Sequence, residues 1–305
     1  MSRTSLTRLV PRSRPGESRA AFGFVALDGL GLIVFVALPA ILALVIGLFN
    51  VDGFGKIEFA GLHNFQLMAG DKLLWKSLGI TTAFTAMFVP TAFVVSLCLA
   101  LLVRKPFPGV GLVRTALFLP NVISLVVIAV MWQFLLTDKV GVVPEMLGGV
   151  GLGDVSWLGD PALALPTLAF VCVWFLMGYQ MLIFLAGLQD IPGELYDAAT
   201  VDGANAWQRF WGVTWPSLRP TSFFVLITSL VNALAGSLGF DLVMVLTKGG
   251  PANSTSTVVF YAYQQAFLYG RFGYAAAICG LMVAISIVIT GALFALTRGG
   301  RFDES

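Results

Sequence analysis

The chain has 305 residues, of which 58% are hydrophobic and 11% charged, with a mean hydropathy of +0.90. A soluble domain carries about 25% charged residues, so this composition excludes a soluble globular protein and predicts an all-α, polytopic membrane protein. The net charge of +2 comes without aromatic-interleaved basic runs, which argues against nucleic acid as a partner. A single histidine, His63, and three cysteines without close spacing leave little material for a metal centre, a Ser-His-Asp triad or a disulfide framework. Cys98, Cys172 and Cys279 are expected as small buried hydrophobes, and no cofactor is expected.

In chain order, residues 1–20 hold five arginines and two prolines without apolar periodicity, the pattern of a basic cytoplasmic tail. A helical domain over 21–298 follows, and residues 299–305 form a second cytoplasmic tail. Charge-free intervals long enough for the roughly 20 residues that cross a bilayer predict six spans, at about 29–50, 77–103, 115–136, 162–188, 221–245 and 273–297. The first apolar run exceeds the 7–15 residues of a signal-peptide core and should remain as a span, starting after Asp28, because a charge at mid-membrane is costly. Pro39, Pro90 and Pro120 fall inside spans, where kinks are expected. A further interval opens with GGPANSTST and carries Gln264 and Gln265. Its apolar part, Val258 to Phe267, is too short to cross and predicts a re-entrant or surface helix outside.

Orientation follows from the cations. With both termini inside, the inner segments hold twelve of the 18 lysines and arginines, as the positive-inside rule requires. The segment 190–220 is then cytoplasmic. It reads DIPGELYDAATVDGANAWQRFWGVTWPSLRP and predicts a helical hairpin. Pro192 and Glu194 suit a helix start, Asp202-Gly203 supplies the stop, and a second helix resumes at Asn205. That helix places Trp207, Trp211 and Trp215 on one face, Pro216 closes it, and Pro220 opens the next. The indole stripe fits headgroup depth and equally a docking element for another protein.

The hairpin resembles the cytoplasmic signature of permeases in binding-protein-dependent ABC importers: Glu-Ala-Ala, three residues, Gly, nine residues, Ile, two residues, Pro. Here Asp197-Ala198-Ala199, Gly203, Val213 and Pro216 stand at that spacing, with Asp for Glu and Val for Ile. The wider run ELYDAATVDGA with PSLRP, together with GLHNF at 61–65, WLGDP at 157–161 and LTKGGP at 246–251, is similar to the carbohydrate, maltose permease-like branch. The resemblance covers nearly all of the chain from about residue 57.

It implies a six-helix fold of the ABC importer permease (MetI-like) type in a bacterial inner membrane. In that family the hairpin is the coupling helix that enters a cleft in the ATPase. Glu194, Asp197, Ala198, Ala199, Gly203 and Pro216 would then be the coupling residues. Tyr179, Gln180, Asn232 and Ser237 lie where maltose-type permeases hold their sugar contacts, although interhelical hydrogen bonding, worth about 0.6 kcal/mol, is the competing use of each. The implied partners are a second homologous permease, an ATPase dimer, an extracytoplasmic solute-binding protein and a sugar. The Walker pattern is absent, since the only Gly-Lys pair, Gly55-Lys56, precedes Ile57. The spans also lack the acidic and histidine relays of secondary carriers, so a partner must supply the energy. The alternatives are a permease for glycerol-3-phosphate, a glycerophosphodiester or a polyol, and, from another class, a stand-alone channel or secondary carrier.

Overall fold

A computed structural model describes residues 17–53, 55–138, 140–149 and 153–296. Most of the expected basic tail and all of the 299–305 tail lie outside the described residues. Among the described residues the architecture is fifteen α-helical segments, four π turns and one small β-ribbon. In order they are α1 (Glu17–Leu32), α2 (Leu38–Ile46), β1 (Phe49–Val51), β2 (Ile57–Phe59), α3 (His63–Gly70), α4 (Lys72–Val103), α5 (Val110–Val122), α6 (Leu125–Leu135), α7 (Val142–Gly148), α8 (Ala164–Gln189), α9 (Gly193–Val201), α10 (Ala206–Arg209), α11 (Trp215–Ser217), α12 (Arg219–Ala235), α13 (Ser237–Leu242), α14 (Val258–Tyr263) and α15 (Phe272–Leu296).

Four stretches are long and apolar enough to cross a membrane: Val25–Ile46, Lys72–Val103, Ala164–Gln189 and Phe272–Ala295. They correspond to expected spans one, two, four and six. The other two expected spans are not single rods. Span three breaks into α5 and α6, which meet at 98° because Ile123 and Ser124 both take extended dihedrals just after Pro120. Span five enters from the hairpin at a 67° bend, runs as α12, and breaks again at Gly236, whose ψ of 161° is extended. Hydropathy sees an uninterrupted apolar run in both places; the breaks are backbone events that it does not register.

Pro39 and Pro216 shape their rods in the same way. A proline ring clashes with the carbonyl four residues earlier and offers it no N–H. For Pro39 that carbonyl belongs to Phe35, the centre of a wide π turn over Ile33–Ala37. For Pro216 it belongs to Gly212, the centre of a second π turn over Phe210–Thr214. Widening to i→i+5 bonding relieves the conflict without ending the helix. At Pro90, by contrast, α4 runs on unbroken for 32 residues.

The core lies where α4, α8 and α12 meet. Phe84, Phe88, Leu168 and Val171 fill one part with Leu242, and Phe93, Met181, Phe184 and Leu188 fill another with Val225 and Leu218. Gly178 permits the approach of α5 to α8, because a Cβ there would overlap the Leu117 carbonyl oxygen. Small residues at such crossings are how membrane helices gain close packing.

Four expectations need correction. The basic tail does not extend to residue 20, because α1 already begins at Glu17. Residues 49 and 50 belong to β1, not to span one, because the chain folds back into an antiparallel ribbon pairing Phe49 with Phe59; the all-α description therefore has this one exception. Of the two readings of 258–267, re-entrant or surface helix, the surface one is overturned, although Phe267 at its far end is exposed. The segment's Val258, Tyr261 and Ala262 are buried beside Leu74 of α4 and Tyr274 and Ile278 of α15, and its Phe260 is buried in the cluster of Phe84 and Leu242. Of the cysteines, only Cys172 is buried, whereas Cys98 and Cys279 are exposed on helix faces that sequence periodicity cannot rank in an apolar span.

Candidate coupling hairpin and transport path

The hairpin is built by local caps. Pro192 is the N-cap of α9, one residue before the expected first turn, and Glu194 sits in that turn near the positive helix end. The helix closes with two capping bonds, Gly203 N to the Thr200 carbonyl at 3.1 Å and Ala204 N to the Ala199 carbonyl at 2.9 Å. This is a Schellman motif, and it needs Gly203 at φ +76°. Asn205 and Gln208 then form a reciprocal capping box, 2.8 and 3.0 Å, which starts α10.

Anchoring is apolar on one side and polar beneath. Ile191 and Leu218 are buried at the two feet of the hairpin, with Tyr196, Phe210, Val213 and Trp215 packed against the same cluster as Phe93 and Phe184. The Tyr196 hydroxyl lies 3.0 Å from Thr214 Oγ1 and accepts a 3.0 Å bond from Arg104, tying the α9 arm to the α10–α11 arm and to the end of α4. The tryptophans form a ladder, with ring centroids 5.6 Å apart for Trp207–Trp211 and 5.8 Å for Trp211–Trp215, running from a 69% exposed tip at Trp207 to Trp215 against Phe93. On the free surface stand Glu194, Asp197, Ala198 and Gly203, all exposed, while Ala199 and Pro216 are half-buried. Neither carboxylate has a hydrogen-bond or ion-pair partner among the described residues.

The expected path residues separate. Gln180 is 3% exposed and engaged at both its oxygen and its nitrogen: it accepts from Ser96 at 3.2 Å and donates to Ser229 at 2.8 Å, joining α4, α8 and α12. Its neighbour Tyr179 points the other way and is 44% exposed. Asn232 is half-buried and donates to the Thr228 carbonyl of its own helix. Ser237 follows the break at Gly236 as the first residue of α13; its side chain lies outside what the structure describes.

The family model of the binding-protein-dependent transport system inner membrane component matches residues 93–299, an interval that contains the whole hairpin. The chain belongs to this family. It is 34% identical over 281 residues to the lactose transport system permease protein LacF of Rhizobium radiobacter, covering 90% of this chain and 93% of that one. It is 31% identical to the sn-glycerol-3-phosphate transport system permease protein UgpA of Agrobacterium fabrum, over 86% of this chain and 89% of the relative. A chain in the crystal structure of a bacterial ABC transporter involved in the import of the acidic polysaccharide alginate shares the fold, with a TM-score of 0.80 at 22% identity and coverage of 93% and 96%.

The permease also has a polar cluster, at the end of α4 opposite the hairpin, that no sequence pattern flagged. Asp71 caps α4 by accepting from Leu73 N and Leu74 N and receives the hydroxyls of Tyr261 at 2.7 Å and Tyr274 at 2.5 Å. Burial pushes its carboxyl upward, but the bonds from Tyr274, Tyr261, Leu74 and Leu73 outweigh that and hold it below the usual range. Burial, followed by the bond to Asp71, raises the Tyr261 hydroxyl. Asn64, 1% exposed, donates to the Gly47 and Phe49 carbonyls and so clamps the ribbon to α3. The GLHNF pattern thus contains a structural amide. Nothing in the sequence joins Asp71 to tyrosines 190 and 203 positions away.

Proposed function

We propose that this permease forms half of the translocation path of an ATP-driven importer for a sugar or oligosaccharide. It works with a second homologous permease, an ATPase dimer and an extracytoplasmic solute-binding protein. Support for the solute class comes from the lactose relative and from the sequence patterns shared with carbohydrate permeases. Both termini and the 190–220 hairpin would lie in the cytoplasm, as the distribution of lysine and arginine favours.

The observation that carries the coupling role is a hairpin stiff at its feet and chemically free at its surface. Ile191 and Leu218 are buried under the bundle, while Glu194 and Asp197 are exposed and unpaired among the described residues. A lever of that construction transmits an ATPase closure as a tilt of α8 and α12, and Asp197 offers its charge to a basic residue of the motor. Tyr179 and Asn232 are the foremost candidates for solute contact. Gln180 would act by holding α8 in register with α4 and α12, and Ser237 by its place at the break in span five. The glycerol-3-phosphate relative supports a second reading, in which the solute carries a phosphate.

The test is ATP-driven uptake of candidate sugars and of glycerol-3-phosphate by the reconstituted four-part assembly. Asp197→Lys should insert normally and lose most uptake. Wild-type uptake by that variant would remove the hairpin from the coupling route.

A further inference from the structure

Directly behind the coupling hairpin is a cavity of about 560 Å³ whose walls include Arg104, Lys105, Tyr196, Arg209, Phe210 and Thr214. Three cations converge there from two separate parts of the chain. No described carboxylate lies within 4.0 Å of any of them. Arg104 is held in place: its guanidinium sits 4.5 Å over the Tyr196 ring and donates to the Tyr196 hydroxyl. Arg209 is steadied by a 3.2 Å bond to Thr200. Guanidinium groups with remaining N–H donors and no counter-charge are suited to phosphate oxygens.

The location narrows the source of that phosphate. Arg104 directly follows Val103, the last residue of an apolar stretch long enough to cross the membrane, which puts the cavity at headgroup depth. Phe210 in its wall belongs to the same aromatic ladder as Trp207, Trp211 and Trp215, and tryptophan is a residue that settles at the membrane–water boundary. A free inorganic ion has no use for an apolar wall; a glycerol backbone and the start of an acyl chain do.

We infer that this cavity binds the phosphate of an anionic phospholipid headgroup, wedged between the α4–α5 loop and the base of the hairpin. The inference rests on the membrane-spanning reading and not on what the hairpin docks, so it is tested on the permease alone.

The full chain is placed in nanodiscs of mixed phosphatidylglycerol and phosphatidylcholine, and the lipid retained on release is measured by native mass spectrometry. Wild type should retain phosphatidylglycerol in preference. Lys105→Gln and Arg209→Gln should each reduce that retention about fivefold, as expected for one juxtamembrane charge, and Arg209→Lys should restore most of it. Lys105 is an exposed side chain, so its replacement spares the fold, which the thermal unfolding midpoint checks. Equal retention of both lipids, or retention indifferent to Lys105→Gln and Arg209→Gln in correctly folded protein, overturns the inference. So does protection by inorganic phosphate in lipid-free detergent that phosphatidylglycerol does not match, since the source would then be the free ion.

Discussion

Asp71 and Asp197 both lie outside the long membrane-crossing helices, at opposite ends of the bundle, yet the fold treats them oppositely. Asp71 sits under four donors, two backbone and two phenolic, and knits α4, α14 and α15 into one layer. Asp197 has none among the described residues and stands free on α9. A carboxylate whose lone pairs are satisfied internally stabilises the fold and has nothing left to offer a partner. One left unsatisfied in water costs little and keeps its charge for recognition. The Asp71 end is therefore locked by bonds to its carboxylate, while the hairpin end is locked by apolar packing and the Arg104–Tyr196–Thr214 bonds and leaves its carboxylates available.

The contrast can be broken most severely at Asp71. Asp71→Ala removes a helix cap worth about 1 kcal/mol and strands two partly buried hydroxyls, so the expected loss is about 2–4 kcal/mol, read as a lower unfolding midpoint in detergent or nanodiscs. No loss would mean that water replaces Asp71 at no cost. The hairpin's turn comes next. Gly203 has φ +76°, and a Cβ added there would meet nothing within 4 Å, so replacement costs conformation and not space. Gly203→Val should lower stability by about 1–2 kcal/mol and cut ATP-driven uptake, whereas Gly203→Asn, which tolerates the left-handed region, should cost less in both. Equal behaviour of the two variants would show that the left-handed turn is dispensable.

Acid should sharpen the same comparison. The Asp71 carboxyl is held below its ordinary range in the folded state, so its contribution is fully present above the unfolded value of about 3.9 and fades as pH falls through the lower folded value. Thermal stability should hold at about pH 5 and fall below about pH 4, and Asp71→Asn should remove that part of the acid sensitivity. The smallest stability effect belongs to Asp197→Asn, within about 0.5 kcal/mol, although it should impair uptake in the assembled transporter. A marked fall in unfolding midpoint for this variant would give Asp197 a structural role as well.

Much of this was legible in the residues because it is local. Pro192, Glu194, Gly203 and Asn205 mark caps whose chemistry involves positions at most four or five apart, and the hairpin forms where they place it. The motif spacing at Asp197, Gly203, Val213 and Pro216 pointed to the family from the same stretch. The residues expected along the path were less legible, since Gln180 and Tyr179 are adjacent polar residues in one apolar helix. Only the neighbours Ser96 and Ser229 distinguish a side chain consumed inside the bundle from one turned outward.

By itself, then, the sequence determined the membrane class, the approximate extents of four continuous spans, the distribution of the cations along the chain and the hairpin with its turn. Each follows from summed hydropathy, charge placement or short-range backbone preference. Tertiary structure decided the 98° break at Ile123–Ser124, the break at Gly236, the burial of α14, the pairing of Phe49 with Phe59 and the four bonds on Asp71. The physical reason is that these depend on which distant backbone or side chain arrives alongside, and an apolar run reads the same whether it crosses straight, folds back or is capped from afar.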